Sequence, residues 1–156
     1  VEELGLDASV PGLVPPNDLD AEGILLSHAL EHGAIDGILP KHFYSDANKR
    51  IYEAIRMLQV RGEPVDVVAV KRELQKDNRL AQVGGVSYLA LLADTQPAAS
   101  EPALQAHAEA VREFWRVRTL SDAALRLRLE LRTLQVSSKE AWRRFREICE
   151  EMGGVT

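Results

Sequence analysis

Residues Arg61–Leu92 read RGEPVDVVAVKRELQKDNRLAQVGGVSYLALL, and this stretch decides the fold. Gly62-Glu63-Pro64 forms a turn signal, and Pro64 biases Glu63 away from helix. Asp66 stands where a helix N-cap belongs, with Val65 before it and Val70 four residues after it spaced for a hydrophobic staple. Val67, Val70 and Leu74 continue one apolar stripe at helical spacing. Gly84-Gly85 breaks the chain, and Tyr88, Leu89 and Leu92 begin another short amphipathic helix. The stretch is therefore a helix, a glycine corner and a helix.

Upstream, residues 1–16 carry two glycines, three prolines and no sustained period, which predicts a flexible lead-in. A first helix is expected from about Leu19 to Glu31, capped by Asn17 or Asp18, with Ala21, Ile24, Leu25 and His28 along one face. Gly33 ends it, and Ile35 to Leu39 provides one short turn before Pro40. Ser45 caps a second helix, Asp46 to Val60, whose inner face is Ile51, Ile55 and Leu58 with Tyr52 beside it. About five short helices thus make a globular head over residues 17–100.

The last third has a different character. Pro102 to Leu134 contains no glycine and no further proline, while Val111, Phe114, Val117, Leu120, Ala124, Leu127, Leu131 and Leu134 recur at steps of three or four. That pattern predicts one long amphipathic helix of roughly 45–50 Å at 1.5 Å per residue. Ser137 and Glu140 have capping-box spacing, and Ala141, Phe145, Ile148 and Met152 share a face of the helix that follows, adjoined by Trp142 and Cys149. The tight link at Gln135-Val136 folds the two helices back as an antiparallel hairpin over residues 101–152, with a linker starting at 153–156. The expected class is all-α.

Two helices cannot bury every side of such stripes. Leu125 and Leu129 lie off the main one, and an exposed apolar strip of this length calls for a partner. A second hairpin, giving a dimer, is the expected cover, with Phe114, Trp115, Leu125, Leu129, Trp142 and Phe145 as candidate contacts. The competing expectation is a monomer whose head folds over the strip.

Composition excludes several function classes. The chain has 156 residues, 46% of them apolar, enough for one domain with an appendage. It has no apolar run of about 18 residues to span a membrane. Glu2, Glu3 and Asp7 give its start the wrong charge for a signal peptide. Val1 in place of methionine points to a processed or engineered start. Cys149 stands alone, which excludes an intramolecular disulfide and fits a reducing cytoplasm. Residues 1–100 hold 9 Lys/Arg against 15 Asp/Glu, and residues 101–156 hold 10 against 9. Neither part has the basic footprint of an autonomous nucleic-acid binder.

The order GEPVD, short helix, VGGxxYLxxL resembles the N-terminal domain of DnaB-type replicative DNA helicases. PNDLDAEGILL at Pro16–Leu26 is similar to that family's P-x-x-x-E-A-E opening, with Asp20-Ala21-Glu22 in place of Glu-Ala-Glu. HFYSDANKRIYEAI at His42–Ile55 is similar to its DFY…IY-x-AI segment, with Asn48 and Lys49 at variable polar positions. Pro97-Ala98-Ala99 and Val111-Arg112-Glu113 resemble its TPSAAN segment and VRE, with about two extra residues between them. The resemblance covers roughly residues 16–131 and implies a replication scaffold. In that family hairpins pair, three pairs make a hexameric collar, and primase docks on it; the resemblance implies the same here, with the helicase loader as a further visitor. It places primase contacts at Tyr88 and, through a blurred register, Leu120 and Leu127. ATP, Mg and DNA unwinding belong to a RecA-like domain expected beyond Thr156, so the chain reads as an excised, non-catalytic domain. The sequence itself contains no G-x-x-x-x-G-K-[ST] phosphate loop.

Two rival readings remain. The helicase-binding C-terminal domain of a primase has a similar head and hairpin, although GEPVD and VGGVSYL favour the helicase. His28, Glu31 and His32 match the H-x-x-E-H spacing of a zinc-dependent hydrolase. Against that, Gly33 leaves His32 at a helix end, and His28 is expected in the core. Arg126, Arg128, Arg132, Arg143, Arg144 and Arg146 read as nucleic-acid contacts or, more commonly, as a solvated face paired with Glu130, Glu140, Glu147 and Glu150. Tyr88 is equally readable as an ordinary core residue with its hydroxyl at the surface.

Overall fold

The computed structural model describes residues 14–153. Most of the expected lead-in (1–16) and of the linker start (153–156) lies outside the described residues. Six α-helices and no strand occur within them: α1 Leu19–His32, α2 Asp46–Val60, α3 Val67–Lys76, α4 Gly85–Ala93, α5 Glu101–Arg132 and α6 Ser138–Glu151. Two 3-10 turns, Pro40–His42 and Ala81–Val83, join α1 to α2 and α3 to α4. The chain is all-α, as its periodicity predicts.

Short polar side chains start five of the six helices, Ser100 accepting the N–H of Ala103 at 3.3 Å at the start of α5. Asp18 accepts the N–H of Ala21 at 2.9 Å, Ser45 that of Asn48 at 3.3 Å, Asp66 that of Ala69 at 2.7 Å and Ser137 that of Glu140 at 3.2 Å. Each cap contributes about 1 kcal/mol by satisfying a donor the helix itself leaves open. At the glycine corner, Gly84 has φ +93° and Gly85 φ +69°, backbone that a side chain resists. A Cβ on Gly84 would also lie 2.9 Å from Cβ of Tyr88. At Gly84 a side chain is therefore opposed both by the dihedral and by Tyr88, whereas Gly85, with nothing within 4 Å, is constrained by its dihedral alone.

The chain divides within α5 into two compact units. The first, Asn17–Trp115, is the head. Leu25, Leu26 and Leu30 of α1 join Phe43, Ile51, Tyr52, Ile55, Leu58, Val70, Leu74, Leu89, Leu104 and Val111 in one core. Each such side chain contributes about 1.5–3 kcal/mol on leaving water. Tyr52 is fully buried, and its hydroxyl accepts the N–H of Ile35 at 2.9 Å and donates to the carbonyl of Ile38 at 3.1 Å. One phenol on α2 thus fixes the loop leaving α1.

The burial of α1 departs from the expected face. Ala21 and Leu25 are buried, but Ile24 and His28 are only half-buried, while Leu26, Ala29, Leu30, Ser27 and Glu22 are inside. Packing against both α2 and α4 covers more of α1 than one stripe predicts. Glu22 is 1% exposed. Its carboxylate accepts from the backbone N–H groups of Tyr44 and Ser45 and, at 2.7 Å, from Nδ2 of Asn48. Asn48 is 2% exposed and belongs to this network, where the sequence reading had a variable polar position.

The second unit contains α5 from Arg116 onward and α6. The link between them turns through Leu134, at φ +55°, with the N–H of Gln135 closing on the carbonyl of Glu130 at 3.0 Å. Ala141 is the buried residue of α6. Arg144 ties α6 to Glu130 of α5 at 3.0 Å and to Glu140 at 2.8 Å, and Arg143 bridges Glu140 and Glu147. Arg146 faces Glu150 at 3.9 Å. The paired, solvated reading therefore holds for these three arginines.

Two outcomes follow for the head. Glu22→Ala strands three donors and opens space in the core, so urea unfolding should show a loss of about 3 kcal/mol or more. Glu73 accepts from Arg61 and Lys76, and the Arg61 hydrogen bonds chiefly hold its carboxyl down to about 2, against the usual 4.5. A depressed folded-state value stabilises above the unfolded one and is lost on acidification through the folded one. Stability should thus decline between pH 4.5 and about 2, and Glu73→Gln should flatten that part of the profile in a pH series of melts.

Candidate interaction surfaces

Tyr88 sits one turn into α4 and is half-buried. Its ring rests against Gly84, and its hydroxyl donates to Oδ1 of Asn48 at 2.6 Å. Burial pushes the phenol above its ordinary value, opposed by the Asn48 hydrogen bond and reinforced by the charge of Glu22. The hydroxyl is therefore neutral and fixed in direction at physiological pH. Two of the three groups in this hydrogen-bonded relay, Glu22 and Asn48, are not linked to Tyr88 by the sequence reading. The available signal was the pairing of an acid inside the first helix with an asparagine just after a Ser cap, which no local pattern connects.

The other two candidates for that contact lie in the second unit: Leu120 is 38% exposed and Leu127 is half-buried. Leu127 is placed with Leu131, Ser138, Ala141, Trp142 and Phe145 around a shallow apolar groove of about 300 Å³. Trp142 is 67% exposed and Leu129 56% exposed, whereas Phe145 and Leu125 are half-buried. The rings of Trp142 and Phe145 lie 6.5 Å apart. An indole that open, next to an apolar groove, is the kind of anchor that protein interfaces use.

Phe114 and Trp115 belong to the head. Phe114 is half-buried. Trp115 packs edge-on to His42 at 4.9 Å and carries Nζ of Lys41 over its ring at 4.5 Å. It thus fastens the first half of α5 to the 3-10 turn of its own chain.

His28 and His32 face each other with ring centroids 4.6 Å apart, and Glu31 turns to His32 at 3.6 Å. Burial, then the neighbouring His32, lowers the His28 pKa. Among the described residues no group of three or more His, Cys, Asp or Glu converges to hold a metal ion. A hydrolytic centre would need a third ligand here. No helix among those residues is long and apolar enough to cross a membrane.

Comparison with known proteins addresses the same elements. The family model described as the DnaB-like helicase N-terminal domain matches residues 14–113. The replicative DNA helicase DnaB of Geobacillus stearothermophilus is 38% identical over 92 residues, covering 56% of this chain and 20% of that protein. DnaB of Mycobacterium leprae is 38% identical over 105 residues, covering 62% and 17%. The chain thus spans about a fifth of the length of the curated relatives it matches. The crystal structure of the N-terminal domain of DnaB helicase from Mycobacterium tuberculosis superposes with a TM-score of 0.77 at 30% identity, over 88% of this chain and 99% of that one. A DnaB-like replicative helicase, solved in a study of its interactions with primase, shares the fold with a TM-score of 0.72 at 22% identity, over 87% and 32%. The model spans more than half of the sequence, including the glycine corner, the Ser45-capped helix and the Glu22 network, so the chain belongs to the DnaB-like helicase N-terminal domain family.

Proposed function

We propose that this chain is the collar of a replicative DNA helicase, pairing subunits through its hairpin and receiving primase, with a helicase loader as a further visitor. The observation that carries the pairing is the open apolar surface of α5 and α6, where Trp142, Leu129 and Leu131 stay accessible beside the groove. Membership of the family supports a hairpin as its cover. In the parent, three pairs would close a hexamer, and ATP and Mg would act in a RecA-like domain. This chain has no phosphate loop of its own. DNA contact through this domain would be weak or indirect, because its arginines on α6 are engaged by carboxylates. A cytoplasmic place of work follows from that role.

The family match takes the helicase side of the choice between helicase and primase domains. For primase docking, Tyr88 is the proposed contact in the head, with Leu120 and Leu127 as further contacts. The proposed pairing residues are Phe114, Leu125, Leu129, Trp142 and Phe145, with Trp115 contributing through its hold on Lys41 and His42.

Sedimentation equilibrium tests the pairing. The chain should dimerise, and Trp142→Ala with Phe145→Ala should weaken the dimer about 100-fold, since interface anchors of this size commonly carry 2 kcal/mol or more. Identical dimer constants for parent and double variant would refute the hairpin as the pairing surface. An unchanged head should show in equal α-helical content.

A further inference from the structure

The hydrogen bonds behind Tyr88 run in one direction only, and that direction limits what the residue can recognise. Glu22 accepts on both carboxylate oxygens: Oε1 takes the N–H of Tyr44, and Oε2 takes Ser45 N–H and Asn48 Nδ2. All three partners are donors, so the buried carboxylate presents nothing but lone pairs. Asn48 must therefore turn its NH2 toward Glu22, since the flipped amide would set Oδ1 against a carboxylate oxygen at 2.7 Å. That leaves Oδ1 facing Tyr88, whose single proton is committed to it at 2.6 Å. The phenolic oxygen keeps only acceptor capacity.

We infer that Tyr88 is a polarity-set acceptor, held by Glu22 through Asn48, and that the partner meeting it supplies an N–H donor such as an arginine, a lysine or a free backbone amide. The inference rests on Tyr88 being a docking contact, as proposed above, and adds the chemistry that the partner brings. A partner presenting a carboxylate or a carbonyl would meet lone pairs with lone pairs and be turned away, which makes the chain selective as well as adhesive. Glu22 and Asn48 are then positioning residues. Neither needs to touch the partner, and both determine which way the contact points.

Glu22→Gln reverses the chain with almost no change of shape. A glutamine oxygen still receives Tyr44 N–H, while its NH2 gives up the long 3.4 Å contact with Ser45 N–H, donates to Asn48 and lets that amide flip. Asn48 then donates to the Tyr88 oxygen, and the Tyr88 proton turns outward. The probe is the purified helicase-binding domain of a bacterial primase, titrated calorimetrically into the folded chain and its variants. Thermal melts of each variant control for folding.

Tyr88→Phe removes the acceptor and keeps the ring, so binding should weaken about tenfold, as loss of one interfacial hydrogen bond does. Glu22→Gln should weaken it by a similar factor in the parent and have no further effect in the Tyr88→Phe background. A purely structural role for Glu22 would weaken both backgrounds equally, and that result would overturn the inference. If Tyr88→Ala weakens binding while Tyr88→Phe and Glu22→Gln leave it unchanged, Tyr88 docks through its ring alone; the polarity claim then fails while the docking surface stands. If Tyr88→Ala has no effect, the docking assignment fails and this inference falls with it.

Discussion

Removing a carboxylate from water costs several kcal/mol unless donors replace its hydration, and the head is organised around one residue that meets this condition. Glu22 lies inside α1, yet its partners come from the segment that enters α2 and from α2 itself. The three N–H groups that offset its desolvation therefore clamp the second helix to the first at a fixed angle and register. Ile51, Ile55 and Leu58 then fall against Leu25, Leu26 and Leu30 in the common core. Apolar contacts tolerate small slips of one helix along another, whereas a hydrogen-bonded charge does not. Tyr52 does the same at the other end of the loop, with its hydroxyl on Ile35 and Ile38.

The glycine corner extends this order to the surface. Gly84 gives the backbone a left-handed step without a side chain, which lets the Tyr88 ring lie over it and its hydroxyl reach Asn48. A proposed docking residue is thereby connected to the most buried polar group of the head in two hydrogen bonds. The hairpin follows the opposite logic. Its polar face is closed on itself by Arg143, Arg144 and their glutamates, while its apolar face stays open. Charges satisfied within the chain hold little for a partner, and unsatisfied apolar area holds a great deal, so pairing through leucines and aromatic rings is the economical reading of that surface.

Much of this was legible locally. Ser45, Asp66 and Ser137 announce helix starts because capping depends on a residue and the three that follow it. The Gly84-Gly85 break is equally local. The Glu22 network was not legible, because an acidic residue in the first turn of a helix looks like an ordinary favourable partner of the helix N-terminus. Its burial comes from packing against α2 and α4, which no window of α1 contains. Asn48 was hidden for the same reason. His28 shows the converse error: a regular stripe placed it inward, while the real neighbours of α1 cover a different arc. Trp115 shows that a tryptophan on a long helix need not look outward, since Lys41 and His42 lie more than seventy positions away in sequence and yet against its ring.

The sparse interior of α6 has a consequence for how the protein behaves at different abundances. A helix that buries Ala141 and leaves Trp142 in solvent gains little by folding alone, and its entry turn holds Leu134 in a left-handed conformation costing about 1–2 kcal/mol. Most of its reason to stay ordered must come from whatever covers the apolar face. By mass action, such order depends on concentration. Under the proposed pairing, the hairpin would fray first in dilute solution while the Glu22-clamped head stays intact, so the same chain would present a folded platform at every dose and a finished assembly surface only where copies accumulate.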